Sequence, residues 1–279
     1  MRELLSLVRC ELYKLKRKHL VPALVGLGLL LPLLLALYEW PTQQGMASVT
    51  AAYKAGRLDY FTVCLCAYGC MLLMPCLLGV LAVHLFFLER DNDTFKNLRV
   101  IPVTSAQLIF AKLSTLLLLE LAFVAILYGG LVFFFTVLDI GSPAHVGRYL
   151  AFTLCNGLLA FANSLPVVVL VVYCNRSNLI SLLLCFFYDI FSWGAALVGM
   201  LAAYTHPQLY QLLRLHAPLC ALQWTTWQFA DPAQRASLES TSPFLPSGLH
   251  TVGLHLLVAG LSSVSYTHLR AHETRHDLV

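Results

Sequence analysis

The chain alternates between long apolar runs and shorter polar segments. An α-helix needs ~20 apolar residues to cross the hydrocarbon core of a bilayer, and several runs are close to that length or above it. The complete runs lie at about residues 19–38, 61–87, 112–137, 149–173 and 179–203, and a sixth begins near Leu249. This pattern predicts an all-α integral membrane protein with six spans.

Residues 1–18 precede the first run and follow a different pattern. Leu4, Val8, Leu12 and Leu15 recur at the spacing of one helix face, and lysine and arginine occupy positions between them. The segment is predicted to form a basic amphipathic helix, although the basic residues alone are also typical of the flank of a membrane span. Because the basic segment is long and no small-residue cleavage site follows the apolar run, that run is not predicted to be a removable signal.

The distribution of lysine and arginine predicts the orientation. Cytoplasmic loops of membrane proteins carry an excess of these residues. With the last 16 residues left out, eleven lie on the N-terminal side of the membrane and five on the other side. The N-terminus and the loop at 89–112 are therefore predicted to be cytoplasmic, and the loops at 42–60 and 204–248 external. The leucines and tryptophans of the 204–248 loop predict a re-entrant or interfacial helix.

Composition and motifs exclude several classes of function. Of the 279 residues, 59% are hydrophobic and 11% are charged, which is typical of a membrane protein and leaves no room for a soluble catalytic domain. The chain has no Gly-x-x-x-x-Gly-Lys-[Ser/Thr] or Gly-x-Gly-x-x-Gly motif, so we expect it to bind neither ATP nor a dinucleotide. The membrane orientation explains the net charge of +4, so no nucleic-acid partner is expected.

The segment from Glu89 to Lys112 is the longest polar interruption between the apolar runs of the first half. Seven of its 24 residues are charged. A turn between two membrane helices needs only a few residues, so this length predicts contact with another molecule. The helix signals in it are Asp93 or Thr94 as a cap, Phe95 and Leu98 on one face, Pro102 as a break, and Thr104-x-x-Gln107 as a capping box.

This segment resembles the corresponding loop of permease subunits of ABC-2-type exporters, and it is most similar to the bacitracin and lantibiotic-immunity branch. In that family the loop reads as a Glu, then Gly-Thr, then Thr-Pro-Ile-Ser, then a Lys. The present chain departs from this pattern at Asp93 and Ile101. The matching residues are Glu89, Thr94, Leu98, Pro102, Val103, Thr104, Leu108 and Lys112.

The resemblance implies an architecture, partners and a substrate class. The chain would be a six-helix permease of the bacterial cytoplasmic membrane that begins with an elbow helix. It would need no cofactor and would not itself be an enzyme. A separate ABC ATPase subunit and a second permease subunit would complete an exporter of amphipathic molecules such as antimicrobial peptides. The residues expected to couple the permease to the ATPase are Glu89, Thr94, Phe95, Leu98, Arg99, Pro102 and Thr104, with Phe95 and Leu98 as apolar anchors and Glu89 and Arg99 as polar contacts.

Four further polar residues lie inside the predicted spans: Glu120, Asn156, Asn163 and Asp189. An ionisable side chain in a membrane costs free energy unless it is paired or hydrated, so it marks a candidate functional position. These residues are predicted either to line a translocation path for a cationic, amphipathic substrate or to form hydrogen bonds that fix helix packing. Two other functions stay open, an intramembrane protease or lipid-modifying enzyme that uses Glu120, Asp189 and His84, and a non-transporting partner of a sensor protein.

The nine cysteines predict neither a disulfide framework nor a metal site. Six of them lie within the predicted spans and two on the cytoplasmic side, which leaves Cys220 alone on the external side. We interpret them as small apolar residues.

Residues 264–279 are predicted not to be native. The stretch Val264-Ser-Tyr-Thr-His-Leu-Arg-Ala-His-Glu-Thr274 matches, letter for letter, one reading frame of a common transposase sequencing adapter. The native permease domain is therefore expected to cover residues 19–263, with its sixth helix truncated, and the histidines of the tail do not predict a metal site. Sequencing the source DNA tests this prediction, because codons unrelated to the adapter after Ser263 would contradict it.

Overall fold

The computed structural model describes residues 2–16, 19–46, 48–91, 104–142, 145–173, 177–230, 232–241 and 246–276. These residues form α-helices and one π-helical segment, and none of them forms a strand. The helices are α1 (Arg2–Lys16), α2 (Leu20–Gln44), α3 (Ala51–Cys64), α4 (Met74–Asp91), α5 (Ser105–Val137), α6 (Val146–Tyr173), α7 (Asn178–Thr205), α8 (Pro207–Leu213), α9 (Ala217–Phe229), α10 (Pro232–Thr241) and α11 (Gly248–His276). The π-helical segment (Leu65–Leu73) joins α3 to α4.

Six helical stretches within this described part of the chain are long and apolar enough to cross a membrane. They are Leu20–Gln44, Ala51–Phe87, Gln107–Val137, Val146–Val172, Asn178–Thr205 and Gly248–Ser265. They confirm the predicted all-α membrane fold and each of the six apolar runs. α1 packs against α5 and α2, and its Glu11 contacts Lys112 near the start of α5, so α1 lies at one end of the bundle. We call this the α1 end, and the opposite end the far end.

The predicted loop at 42–60 is wrong in its second half, because residues 51–60 are helical. Thr50 caps α3 by accepting a hydrogen bond from the backbone nitrogen of Tyr53 at 3.2 Å, and the helix then continues through the π-helical segment into α4. The polar side chains of this stretch suggested a loop. Arg57, however, pairs with the buried Glu39 of α2, which lets the helix extend beyond its apolar part.

The second span lies at the centre of the bundle. Its α4 packs against α5, α6 and α7. Gly79 permits the close approach of α4 to α7, because a Cβ atom there would lie 2.9 Å from the Cβ of Cys185. In the π-helical segment, the backbone oxygen of Ala67 accepts a hydrogen bond from the indole nitrogen of Trp193 on α7 at 3.2 Å. The central span is therefore joined to α7 by close packing and by a side-chain hydrogen bond.

Two short helices, α8 and α9, follow the fifth span, where a re-entrant or interfacial helix was predicted. α8 packs on α7, whereas α9 contacts α6, α7 and α11. Every residue of α9 from Ala217 to Gln223 is buried. α9 is therefore inserted among the spans and does not lie on the surface of the bundle.

The last helix, α11, packs against α6 and continues past Ser263 to His276. It thus includes both the residues predicted to be native and those assigned to the adapter. The non-native origin of residues 264–279 stays a prediction.

Candidate translocation site

Asn156 joins the fourth span to the inserted helix α9. Its Oδ1 accepts a hydrogen bond from Oγ1 of Thr225 at 2.8 Å, and its Nδ2 donates to the backbone oxygen of Phe152 at 3.1 Å. Asn156 and Thr225 are both buried. Because Asn156 lies ten residues after Val146, this contact is ~15 Å along α6 at the rise of an α-helix. The hydrogen bond therefore holds α9 deep among the spans.

Asn163 joins the same span to α11 through His255. The backbone oxygen of Thr251 lies 2.6 Å from Nδ1 of His255, and because a carbonyl oxygen only accepts, Nδ1 carries the ring proton. Nε2 is then the acceptor, and Nδ2 of Asn163 donates to it at 3.1 Å. These two contacts fix one neutral tautomer of a buried imidazole between two membrane helices.

A cavity of about 440 Å³ lies beside this network. Residues of α5, α6, α9 and α11 line it, and none of them carries an acidic, lysine or arginine side chain. Leu158 and Leu256 are 48% and 67% exposed and both line it, so the cavity opens on the lateral surface of the bundle. Other lining residues are Leu117, Phe161, Ala162, Trp224, His255 and Ala259.

Glu120 is fully buried near the middle of α5. Neither of its carboxyl oxygens has a hydrogen-bond partner among the residues that the structure describes. Cys70 of the π-helical segment is close enough for the two side chains to interact electrostatically. The prediction that Glu120 fixes packing required a hydrogen bond across helices, and none forms here. Glu120 also does not line the 440 Å³ cavity.

The carboxyl group of Asp189 on α7 has a hydrogen-bond partner, whereas that of Glu120 has none among the described residues. One carboxyl oxygen shares a side-chain hydrogen bond with Cys76 of α4, and Oδ2 has no partner among the described residues. This contact joins α7 to α4, and the role of Asp189 stays a prediction. Asp189 does not line the 440 Å³ cavity either.

The residues proposed for an intramembrane enzyme do not meet in a cavity that the structure describes. Neither the 440 Å³ cavity nor the smaller one beside Ser262 is lined by Glu120, Asp189 or His84. No group of three His, Cys, Asp or Glu residues able to hold a metal ion occurs in the described ranges. The arrangement does not favour the enzyme.

Most of the predicted coupling residues fall outside the described part of the chain. Thr104 is described, and the predicted capping box is confirmed. Oγ1 of Thr104 accepts from the backbone nitrogen of Gln107 at 3.3 Å, and Oε1 of Gln107 accepts from the backbone nitrogen of Thr104 at 2.9 Å. The coupling role of all seven residues stays a prediction. The residues that lie outside the described backbone or side chains are Glu89, Thr94, Phe95, Leu98, Arg99 and Pro102.

A buried ion pair joins three helices at the α1 end. Nζ of Lys112 on α5 lies 3.3 Å from Oε2 of Glu11 on α1 and 3.1 Å from the backbone oxygen of Leu85 on α4. Nζ of Lys14 contacts the other carboxyl oxygen of Glu11 at 2.7 Å. The side chains of Glu11 and Lys112 are 3% and 0% exposed. Sequence analysis missed Glu11, because its partner is 101 positions away.

One signal for Glu11 was present in the sequence. It lies three residues after Val8 and four before Leu15, so all three share one face of α1. That face is buried. An acidic residue among apolar ones on the buried face of a basic helix indicates a cationic partner, although it does not reveal which one.

A second buried ion pair joins α2 to α3 at the far end, beside the segment that follows α5. Oε1 and Oε2 of Glu39 on α2 accept hydrogen bonds from Nε and Nη2 of Arg57 on α3, at 2.8 and 2.5 Å. Nε2 of Gln43 donates to Oε1 of Glu39 at 3.0 Å and to the backbone oxygen of Ile140, which follows α5, at 2.8 Å. Polar contacts therefore connect the second and third spans with α1 at the α1 end, and the first three spans with one another at the far end.

Comparison with protein families decides the class of this protein. The sequence profile described as ABC-2 family transporter protein matches residues 7–192, which is more than half of the chain. The chain belongs to the ABC-2 transporter family. It is a permease subunit of an ABC exporter, which works with an ATPase partner and is not itself an enzyme. A comparison with curated proteins found no significant match.

The matched region of the permease runs from α1 into α7. It contains both buried ion pairs and the four polar residues predicted inside the spans. α9 and α11, which form one side of the 440 Å³ cavity, lie beyond it. The family match therefore shows the class of the protein, whereas part of the cavity wall lies outside the matched region.

Proposed function

We propose that this permease exports an amphipathic molecule, such as an antimicrobial peptide, from a bacterial cytoplasmic membrane. The observation that carries this proposal is the cavity of about 440 Å³ between α5, α6, α9 and α11. Ligand sites in proteins commonly measure about 300–1,000 Å³ and are mostly apolar with a few polar groups. The cavity has this size and this character.

The position of the cavity favours a substrate that enters from the lipid. Leu158 and Leu256 belong to spans and are exposed where the cavity opens, so apolar groups in the bilayer have direct access to it. Uncharged lining residues accommodate the apolar part of an amphipathic molecule. His255 also lies at the wall, but its two ring nitrogens are engaged with Thr251 and Asn163, so the polar part of the substrate would stay outside the cavity.

The ATPase would dock at the α1 end, which the excess of lysine and arginine predicts to be cytoplasmic. Phe95 and Leu98 would anchor the ATPase on the loop that precedes the capping box of α5. A second permease subunit would pack on an exposed apolar face of the bundle. α7 offers such a face, since Phe187, Ile190 and Phe191 are 69%, 57% and 79% exposed.

Filling the cavity tests the substrate proposal. The permease and its ATPase would be reconstituted in proteoliposomes, and ATP-dependent transport of labelled bacitracin and of a labelled lantibiotic measured. Ala162→Trp adds an indole to the cavity wall and is expected to lower transport at least tenfold. Ala122→Trp is the matched control, because Ala122 is exposed on α5 and does not line the cavity. Equal transport by the two variants would show that the cavity is not on the substrate path.

Docking of the ATPase is tested separately. The permease would be purified gently from its own membranes, and the eluate photolabelled with an azido-ATP analogue. We expect a labelled companion of ATPase size that is lost in Phe95→Asp. An ATPase that stays bound to Phe95→Asp would place the docking surface elsewhere.

A further inference from the structure

We propose that Glu11 and Lys112 are positioning residues for energy coupling, which make α1 move together with the cytoplasmic ends of α4 and α5 during the ATP-driven cycle. The inference rests on ATP-driven export by the permease. It does not depend on the identity of the substrate, and the side-chain contacts of both residues are resolved by the structure.

The contacts of this ion pair cross three elements. Lys112 on α5 holds the carboxylate of Glu11 on α1 and the backbone oxygen of Leu85 on α4 at the same time. Its ammonium group also lies 5.4 Å from the ring centroid of Phe86. One buried ammonium group therefore fixes the relative positions of α1, α4 and α5.

The location of the pair connects it to the moving part of the permease. Lys112 lies seven residues after the start of α5, and Leu85 lies six residues before the end of α4. At the rise of an α-helix, these positions are ~11 Å and ~9 Å from the two helix ends. The ATPase is expected to bind the segment between those two helix ends. If it displaces either end, the displacement has to pass along fewer than three helical turns to reach the Glu11–Lys112 pair.

Stability alone is a weak reason for burying these charges. Desolvation of two ions offsets most of their attraction, and well-packed apolar residues of similar volume are often as stabilising. The buried face of α1 already has apolar neighbours for such packing, Val8 and Leu15. What an ion pair adds to apolar packing is a directional link that resists sliding of one helix along another. We infer that this link transmits motion to α1.

The test compares variants that break the link between helices with one that removes the Lys14–Glu11 contact within α1. Glu11→Gln and Lys112→Met each remove the charge pair between α1 and α5. Lys14→Met is the matched control, because Lys14 contacts the same carboxylate but lies on the same helix. In proteoliposomes with the ATPase, we expect Glu11→Gln and Lys112→Met to hydrolyse ATP within about twofold of the unmodified permease. Peptide transported per ATP should fall at least tenfold in both, and stay within twofold in Lys14→Met.

A second measurement does not depend on the substrate. Cys10 is exposed on α1 next to Glu11, so a membrane-impermeant maleimide can report the surroundings of α1. We expect the labelling rate of Cys10, followed by peptide mass spectrometry, to change at least threefold between the ATP-free state and the ATP–vanadate state. The change should persist in Lys14→Met and vanish in Glu11→Gln and Lys112→Met.

Two outcomes would overturn the inference. One is a native ratio of transport to ATP hydrolysis in the double variant Glu11→Leu, Lys112→Met, which removes both members of the buried pair and is expected to fold if a single variant does not. The other is an ATP-dependent change at Cys10 that persists without the ion pair. If the unmodified permease transports neither peptide but Cys10 still responds to ATP through the pair, the proposed substrate fails and the coupling inference stands.

Discussion

Removing the guanidinium group of Arg57 is expected to destabilise the permease strongly, because it leaves the carboxylate of Glu39 buried without its cation. The side chain of Glu39 is 0% exposed, and Arg57 holds both of its oxygens. Breaking one side of a buried ion pair costs about 3–5 kcal/mol. Because Arg57 is 27% exposed and Gln43 still donates to Glu39, we expect the lower end of this range for Arg57→Ala. At ~2–4 °C per kcal/mol, a loss of ~3 kcal/mol lowers the midpoint of thermal unfolding by about 6–12 °C.

The same end of the bundle offers a matched control. Nζ of Lys54 lies 2.7 Å from Oδ1 of Asp139, but the Asp139 side chain is 88% exposed. The Lys54 side chain is 20% exposed, but removing it leaves the carboxylate of Asp139 in solvent. An ion pair with one solvent-exposed member contributes about 0–1 kcal/mol, so Lys54→Ala should lower the midpoint by at most ~4 °C. The double variant Glu39→Gln, Arg57→Ala removes the orphaned charge and should recover most of the loss.

Thermal unfolding in nanodiscs, followed by tryptophan fluorescence, measures all four proteins under one condition. The reasoning is refuted if Arg57→Ala lowers the midpoint no more than Lys54→Ala does. It is also refuted if the double variant is as unstable as Arg57→Ala, because the cost would then come from lost packing and not from the buried charge of Glu39.

Three further predictions use the same thermal assay. Gly79→Ala should destabilise the permease by about 1–3 kcal/mol, because the new methyl group would lie 2.9 Å from the Cβ of Cys185. Gly129→Ala is the control, because no atom lies within 4 Å of a Cβ at that position, and it should stabilise α5 by about 0.5–1 kcal/mol. Equal effects of Gly79→Ala and Gly129→Ala would contradict the close packing of α4 on α7. Glu120→Gln should keep or raise the midpoint, because it replaces a buried ionisable group by a neutral amide of similar shape without breaking a described hydrogen bond, and a clear loss of stability would indicate an ionic partner. Burial lowers the pKa of His216 below its usual value of about 6.5. As the pH falls, the unfolded chain therefore binds a proton at this residue before the folded chain does, and the stability of the folded state should fall below pH about 6.5. His216→Gln should reduce this loss of stability at low pH. An unchanged dependence of the unfolding midpoint on pH would contradict the assignment to His216.

The spans could be predicted from the sequence because each is a continuous apolar run of sufficient length. The extension of the second span through residues 51–60 could not be. Lys54 and Arg57 are typical of a loop when only neighbouring residues are considered. Arg57 becomes compatible with a helix beside other spans because Glu39, 18 positions earlier, supplies its counter-charge.

The candidate site could be predicted only in part, for a related reason. Asn156 and Asn163 were predicted from their position in the fourth span, and both form hydrogen bonds that connect that span to other helices. Their partners Thr225 and His255 lie 69 and 92 positions further along the chain. A polar residue in an apolar run indicates that a partner exists, but the partner is determined by helix packing, which periodicity does not encode.

The π-helical segment has a consequence for how the length of this chain can vary. Its hydrogen bonds run from residue i to i+5, so Leu65–Leu73 uses more residues per turn than the α-helices on either side of it. The central span thus carries surplus residues at one place. Deleting a residue there would let the segment tighten toward regular α-helix while α3 and α4 keep the faces that contact their neighbours. Anywhere else in this 37-residue span, the same deletion would turn every later side chain by about 100° away from its partners. The π-helical segment is therefore the part of the span where a change in chain length is best tolerated, although six of its nine residues are buried.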